Sequence, residues 1–391
     1  MYNFDEIIER KGTNCAKWDA VKARGYDPDT VAMWVADMDF KVLPEITEAI
    51  KTRLEHPIYG YSMPQSDYKS TVCQWMKNRH DFNIEEDWIV MTPGVVTALK
   101  IAVNAYTKEG DAVIIQKPVY YPFDSSVELN GRIKIENPTI FKGDHYEIDF
   151  ADFEQKIIDN NVKLYILCNP YNPIGKVWSH EELKTIGDIC KKHGVIVVSD
   201  EIHNDFIYEG NKHIPFYNVD ESYKDFSIVC TAPSKTFNLA GMQTSNIIIA
   251  NEEMRKKFVE TKTRCGVTDA NFLGQIACKA AYQHGAKWVD ELVAYLQGNL
   301  DFMTEYFAKN LPKVKVIQPQ GLYLVWVDFK ALGMNHEELE KFMLEEAKVW
   351  LDEGYIFGAG GECFERFNIA TPRSILEDAL KRICDAANSR K

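Results

Sequence analysis

The chain has 391 residues, a length that suits two or three domains, and 46% of them are apolar, enough for a sizeable core. A formal net charge of −13, with no basic run to offset it, argues against a nucleic-acid partner, whose phosphates would be repelled. No stretch reaches the ~18 uncharged apolar residues of a membrane span, and the start MYNFDEIIER has neither the basic head nor the apolar run of a signal peptide.

The expectation is a soluble, cytoplasmic protein. The nine cysteines form no C-x-x-C pair, so they are read as reduced and mostly buried, with no metal centre.

In chain order, TPGVVTALKIAVNAY (92–106) starts a helix near Gly94, and DAVIIQ (111–116) is short and β-branched, as a strand is. VKLYILCNP (162–170) is a second strand, closed by Asn-Pro. EELKTIGDICKKHG (181–194) has helical spacing and a terminal glycine. VIVVSDE (195–201), SIVCTAPSK (227–235) and NIIIAN (246–251) complete the series. Uninterrupted apolar strands alternating with amphipathic helices predict an α/β fold with a mostly parallel sheet covered on both faces. Ligands of such sheets bind at the carboxyl ends of the strands.

The C-terminal part is patterned differently. A long helix (285–310) is expected to bridge two lobes. VKVIQPQGLYLVWVDF (314–329) predicts a hairpin, HEELEKFMLEEAKVW (336–350) a helix, and SILEDALKRICDAANSR (374–390) a closing helix. This predicts a large domain over 46–288 and a smaller α+β domain built from 1–45 and 289–391.

The residues just past the apolar runs carry the candidate chemistry. Asp200 ends a strand in SDEIH, beside His203. It is either a helix cap or the acid that keeps a ring nitrogen protonated, as a pyridoxal phosphate (PLP) ring requires of its partner. Lys235 follows the strand SIVC and is flanked by Ser234, Thr236 and apolar Phe237. It is either a surface charge or a desolvated amine able to attack an aldehyde. In CNPYNPIGKVW (168–178), Asn172 either shapes a rigid turn or donates to a phenolate oxygen. The N–H groups of Val95 and Val96, after Gly94, suit a phosphate. Tyr120, in KPVYYPF, is a core aromatic or stacks on a flat ring. In FERFNIATPR, Arg366 or Arg373 could fork onto a substrate carboxylate, with Arg366 favoured because an inward-packing strand follows it.

Together and in this order, these motifs resemble fold-type I PLP enzymes of the class I/II aminotransferase superfamily. WVADMDF (34–40), YGY (59–61), CNPYNPIGKVW, SDEIH, PSKTFNLAG and RFNIATPR bring the chain closest to its cystathionine β-lyase-like branch, the C–S lyases. The resemblance implies that Lys235 is the Schiff-base lysine and Asp200 the pyridinium partner. Asn172 is then the amide on the ring hydroxyl, with His203 where relatives often place a tyrosine. Tyr120 is implied as the stacking aromatic, Val95, Val96 and Ser234 as phosphate contacts, and Arg366 as the anchor of an amino-acid substrate. It further implies a homodimer, with Tyr61 reaching the phosphate across the interface.

The chain departs from aminotransferases in having FNLAGMQTS, with Gln243, where they place a phosphate-binding arginine. Cys363 stands where a glycine is expected before Phe364. The activity implied is β-elimination from cystathionine, cysteine or related S-conjugates to pyruvate, ammonia and a thiol. An aminotransferase is the alternative, and a PLP-binding regulator is disfavoured by the acidic charge. Trp34, Asp37 and Asp39 are left open between a substrate role and a structural loop.

Overall fold

The computed structural model describes residues 1–269 and 271–390. Seven strands build the central sheet: β1 (Ile89–Thr92), β2 (Ala112–Lys117), β3 (Ile133–Pro138), β4 (Leu164–Cys168), β5 (Ile196–Asp200), β6 (Ser227–Thr231) and β7 (Ser245–Ile248). They lie in the order β1-β7-β6-β5-β4-β2-β3. β7 is antiparallel to both neighbours and every other pair is parallel. All residues of β2, β4 and β6 are buried, which is why these strands are apolar runs without alternation. β2 to β3 steps outward, whereas β4, β5 and β6 step the other way. The direction of winding therefore reverses between β2 and β4, and a crevice opens beyond their carboxyl ends.

The helices that matter below are α1 (Pro44–Leu54), α2 (Tyr68–His80), α3 (Val95–Tyr106), α4 (His180–His193), α5 (Pro233–Thr236), α6 (Phe272–His284), α7 (Ala286–Asn310) and α8 (Arg373–Ser389). The expected helix 181–194 is α4. Ser179 and Glu182 close it with a capping box, and Gly194 ends it at φ 67°. The bridging and closing helices of the sequence are α7 and α8. None of the described helices is long and apolar enough to cross a membrane.

A second, antiparallel sheet has the order β8-β9-β11-β10, with β8 (Lys315–Val316), β9 (Leu324–Asp328), β10 (Asp352–Glu353) and β11 (Phe364–Asn368). β8 and β9 are the expected hairpin. The helix expected over 336–350 is cut short. It is α-helical only over His336–Lys341, continues as a π-turn over Phe342–Glu346, and ends before Lys348 at φ 54°. Val349–Trp350 then pairs in parallel with Val31–Ala32 near the N-terminus. Tertiary pairing with a distant strand overrides local helical spacing here.

Candidate active site

The crevice holds a cavity of about 200 Å³. Lys235, Asp200, Asn172, His203, Tyr120, Ser234, Val95 and Val96 all line it, so eight of the ten residues singled out from sequence meet at one place. Each arrives there by the end of an element.

Asp200 is the last residue of β5, in register with Cys168 and Cys230. One carboxylate oxygen accepts the Ile202 N–H at 3.2 Å. Among the described residues no cation bonds to it, and burial pushes its pKa up to about 7. Such a carboxyl is poised for a cationic N–H. Lys235 sits on α5, the single turn after β6, and its Nζ donates to the Ala36 carbonyl at 2.8 Å. Burial, helped by the charge of Arg366, lowers its pKa to about 8. His203 is buried, and its Nδ1 has no hydrogen-bond partner among the described residues. Burial, then the charges of Lys235 and Arg366, hold it well below the ordinary imidazole value, so the ring is neutral.

Asn172 shares its side-chain oxygen with Arg366 Nη1 at 3.0 Å. Among the described residues its amide hydrogens have no partner. The Asn172 carbonyl accepts the Tyr120 N–H at 3.2 Å, which ties the loops after β2 and β4 together across the crevice.

At the other end, Gly94 opens α3 with φ 133°, a conformation that glycine tolerates. No side chain caps this helix, so the N–H groups of Val95 and Val96 are left to an anion. Gln243, at φ 47°, and Thr244 line the same cavity. Lys235 is the only cation among the lining residues, so the missing arginine is not replaced from the cavity wall.

A pyridoxal phosphate fits this donor set. An uncapped helix start matches its phosphate, an unpaired buried carboxyl its ring nitrogen, a depressed lysine its aldehyde, and free Asn172 and His203 nitrogens its ring oxygen.

Arg366, on β11, stands behind Asn172. Its Nη2 donates to the Trp34 carbonyl at 3.1 Å and pairs with the buried Asp352 carboxylate. The guanidinium also lies 4.8 Å from the Phe357 ring, and among the described residues its Nε has no partner. Arg373 is elsewhere, bonded to Asn299 of α7 at 2.7 Å. Tyr61 is fully exposed and does not line the cavity.

Asp37 and Asp39 are both tied into ion pairs. Arg10 binds Asp37 at 2.6 Å and Asp39 at 2.7 Å, and Lys17 binds Asp39 at 2.6 Å. Trp34 stacks on Trp350, with centroids 4.4 Å apart. What sequence reasoning missed is the backbone of this loop, whose Ala36 carbonyl holds both Lys235 and the Tyr323 hydroxyl. Asp352 was missed as well. It lies on a two-residue strand outside every motif, and only its register opposite Arg366 reveals it. Cys363, where a glycine was expected, sits at φ 62°, so the glycine-like conformation persists without glycine.

Residues 29–383 match the family model described as aminotransferase class I and II. The chain is 46% identical over 381 residues to cystathionine beta-lyase PatB of Bacillus subtilis (strain 168), covering 97% of this chain and 98% of that one. It is 33% identical to Protein MalY of Escherichia coli (strain K12), over 99% of both. Among solved structures, it superposes on cystalysin from Treponema denticola, which contains a pyridoxal 5'-phosphate cofactor. That match has a TM-score of 0.97 and 41% identity and covers 100% of both chains. The fold is thus the α/β fold of type I PLP enzymes, and the chain belongs to the aminotransferase class I and II family, on the branch that holds PatB.

Proposed function

We propose that this protein is a PLP-dependent carbon–sulfur β-lyase that converts cystathionine, cysteine or related S-conjugates to pyruvate, ammonia and a thiol. The observation that carries the choice of reaction is the end-to-end similarity to PatB at 46% identity.

When bound, PLP supplies an electron sink for the charge that develops at the substrate α-carbon. Lys235 Nζ would hold the cofactor aldehyde, and as a neutral amine it is the group placed to take the substrate α-proton. Its lowered pKa leaves a usable fraction neutral near pH 8. Asp200 holds the proton on the ring nitrogen, and a buried carboxylate does this best when no other cation competes for it. Asn172 and His203 would hold the ring oxygen, and Tyr120 would pack against the ring. The amides of Val95 and Val96, with Ser234, bind the phosphate. Arg366 would hold the substrate carboxylate through its charge and its unpartnered Nε–H, and its bond to Asn172 keeps the guanidinium in line with the ring site.

We assign residues 46–288 to the large, cofactor-binding domain and residues 1–45 and 289–391 to the small one. The working unit is a homodimer in the cytoplasm, in which Tyr61 of each protomer serves the phosphate of its partner.

The test is turnover of L-cysteine by purified protein with no keto acid present. Pyruvate and sulfide are expected. Turnover that needs a keto acid and yields no pyruvate would make the protein an aminotransferase instead.

A further inference from the structure

The turn after β5 presents acids on two sides. Asp200 and His203 line the cofactor cavity, whereas Asp205 does not line it and is buried. Asp205 Oδ2 accepts the Thr236 hydroxyl at 2.8 Å. Its Oδ1 faces His80 Nε2 at 3.1 Å and Arg79 Nε at 3.6 Å, both at the carboxyl end of α2. Burial pushes this carboxyl up, but His80, Arg79 and Thr236 together hold it below its ordinary value, so it is charged. A charged acceptor makes the Thr236 bond one of the stronger kind.

Thr236 directly follows Lys235 and is fully buried. The helix they share, α5, is only four residues long and has no side-chain cap. Among the described residues, Thr236 makes its only side-chain hydrogen bond other than that of Lys235 itself. One carboxylate therefore links the turn that carries Asp200 to the helix that carries Lys235. Those two residues have to clasp opposite edges of one ring, so the separation of their backbones is a chemical requirement.

The geometry points to Asp205, acting through Thr236, as a positioning residue that sets the spacing between Lys235 and Asp200. This role rests on the cofactor assignment above. It goes beyond that assignment in naming a group that touches neither cofactor nor substrate. A misplacement of about 1 Å between reacting groups costs on the order of 10²-fold in rate, so a loosened α5 is expected to show first in the chemistry of Lys235.

The experiment uses cofactor-free full-length protein mixed with pyridoxal phosphate. The rate at which the bound-cofactor absorbance appears is measured for wild type, Thr236→Val, Thr236→Ser and Asp205→Asn, together with melting temperatures. Thr236→Val keeps the shape of the side chain and loses the hydroxyl. It is expected to melt within about 3 °C of wild type, since one hydrogen bond is a small part of the total. Its capture rate is expected to fall about tenfold or more, with Asp205→Asn moving the same way and Thr236→Ser within about threefold of wild type.

Wild-type capture by Thr236→Val overturns the role, and so does a Thr236→Ser variant as slow as Thr236→Val. If Thr236→Val melts early, Thr236→Ala loses the same hydroxyl in a strong helix former and repeats the test. Wild type that takes up no cofactor defeats the proposed function itself, whereas coloured wild type beside an unaffected Thr236→Val defeats only this role.

Discussion

Arg366 on β11 lies in register with Asp352 on β10, and their side chains form an ion pair from which water is almost wholly excluded. Removing one member of such a pair strands the other charge, at about 3–5 kcal/mol. Arg366→Ala is therefore expected to lower the melting temperature as well as turnover. The two effects separate in the double variant Arg366→Ala/Asp352→Asn, which removes the stranded charge. Stability should largely return, while kcat/KM for cystathionine stays about 10²-fold or more below wild type, because the charge-assisted hold on the substrate carboxylate is gone. Cofactor retention should be near normal in both. Loss of cofactor in step with loss of turnover would refute the anchoring role.

Two groups of the cavity titrate in opposite senses, and both leave a mark on stability. Asp200 rises from 3.8 to about 7 in the fold, so between those values the unfolded chain has released a proton that the fold still holds. Stability from this group falls as pH rises from 3.8 to about 7. Lys235 drops from 10.5 to about 8, so the fold disfavours the ammonium form, and stability from this group rises between about 8 and 10.5. Melting curves of cofactor-free protein should show both. Asp200→Asn should make the acid-side slope shallower by one group's share, since half-buried Glu353, also pushed up to about 7, keeps its own, and should leave the alkaline slope in place. Parallel curves for wild type and variant from pH 4 to 7 would contradict the assignment of that shift to Asp200.

The same lysine sets the pH dependence of cofactor capture. Only the neutral amine attacks an aldehyde, so the rate at which colour develops should climb with pH to a midpoint near 8 and not near 10.5. Lys235→Ala should develop no stable colour at any pH. A midpoint above about 9.5 would mean that the amine is not desolvated as the fold places it.

The geometry at Gly175 explains the glycine of CNPYNPIG. Its φ is 70°, and a Cβ there would lie 2.4 Å from the Pro319 side chain. The N–H of Gly175 donates to the Tyr171 carbonyl at 2.8 Å and its carbonyl accepts the Gln320 N–H at 2.8 Å, closing the turn that carries Asn172. Gly175→Ala adds a left-handed conformation, at about 1–2 kcal/mol, to a clash of similar cost. A clear fall in melting temperature and weaker cofactor retention are expected. A variant that melts with wild type and keeps its colour would separate this turn from the site.

The cavity was legible because the elements that build it are local. Each apolar strand is a continuous run, and the residues at or just past its end lie at the sheet edge, so position made Asp200, Lys235, Asn172 and Tyr120 candidates, and the motifs they share with a family, not position, gave each a role. Partners supplied by distant segments were not legible. The Ala36 carbonyl has no side chain to mark it, and Asp352 meets Arg366 only through strand register. The end of the helix expected over 336–350 was misjudged because Val349–Trp350 satisfies its backbone on Val31–Ala32, more than 300 residues away in the chain. Helical spacing carries no information about such a partner.

Tyr61 is the candidate that a single chain leaves apart from the site. It lies near Ile58, Tyr59 and Met63, all exposed large side chains in one segment. An exposed apolar cluster of this kind marks an interaction surface. If it meets a second copy and Tyr61 serves the partner's phosphate, defects in Tyr61 and Lys235 should complement. Tyr61→Ala and Lys235→Ala homodimers would each be impaired. Subunits exchanged between them would form hybrids with one doubly defective site and one intact site. An equal mixture should then recover about a quarter of wild-type activity, since half of the dimers are hybrids with one working site of two. Recovery near zero, with mass analysis showing that hybrids had formed, would place Tyr61 in its own protomer's site or in none.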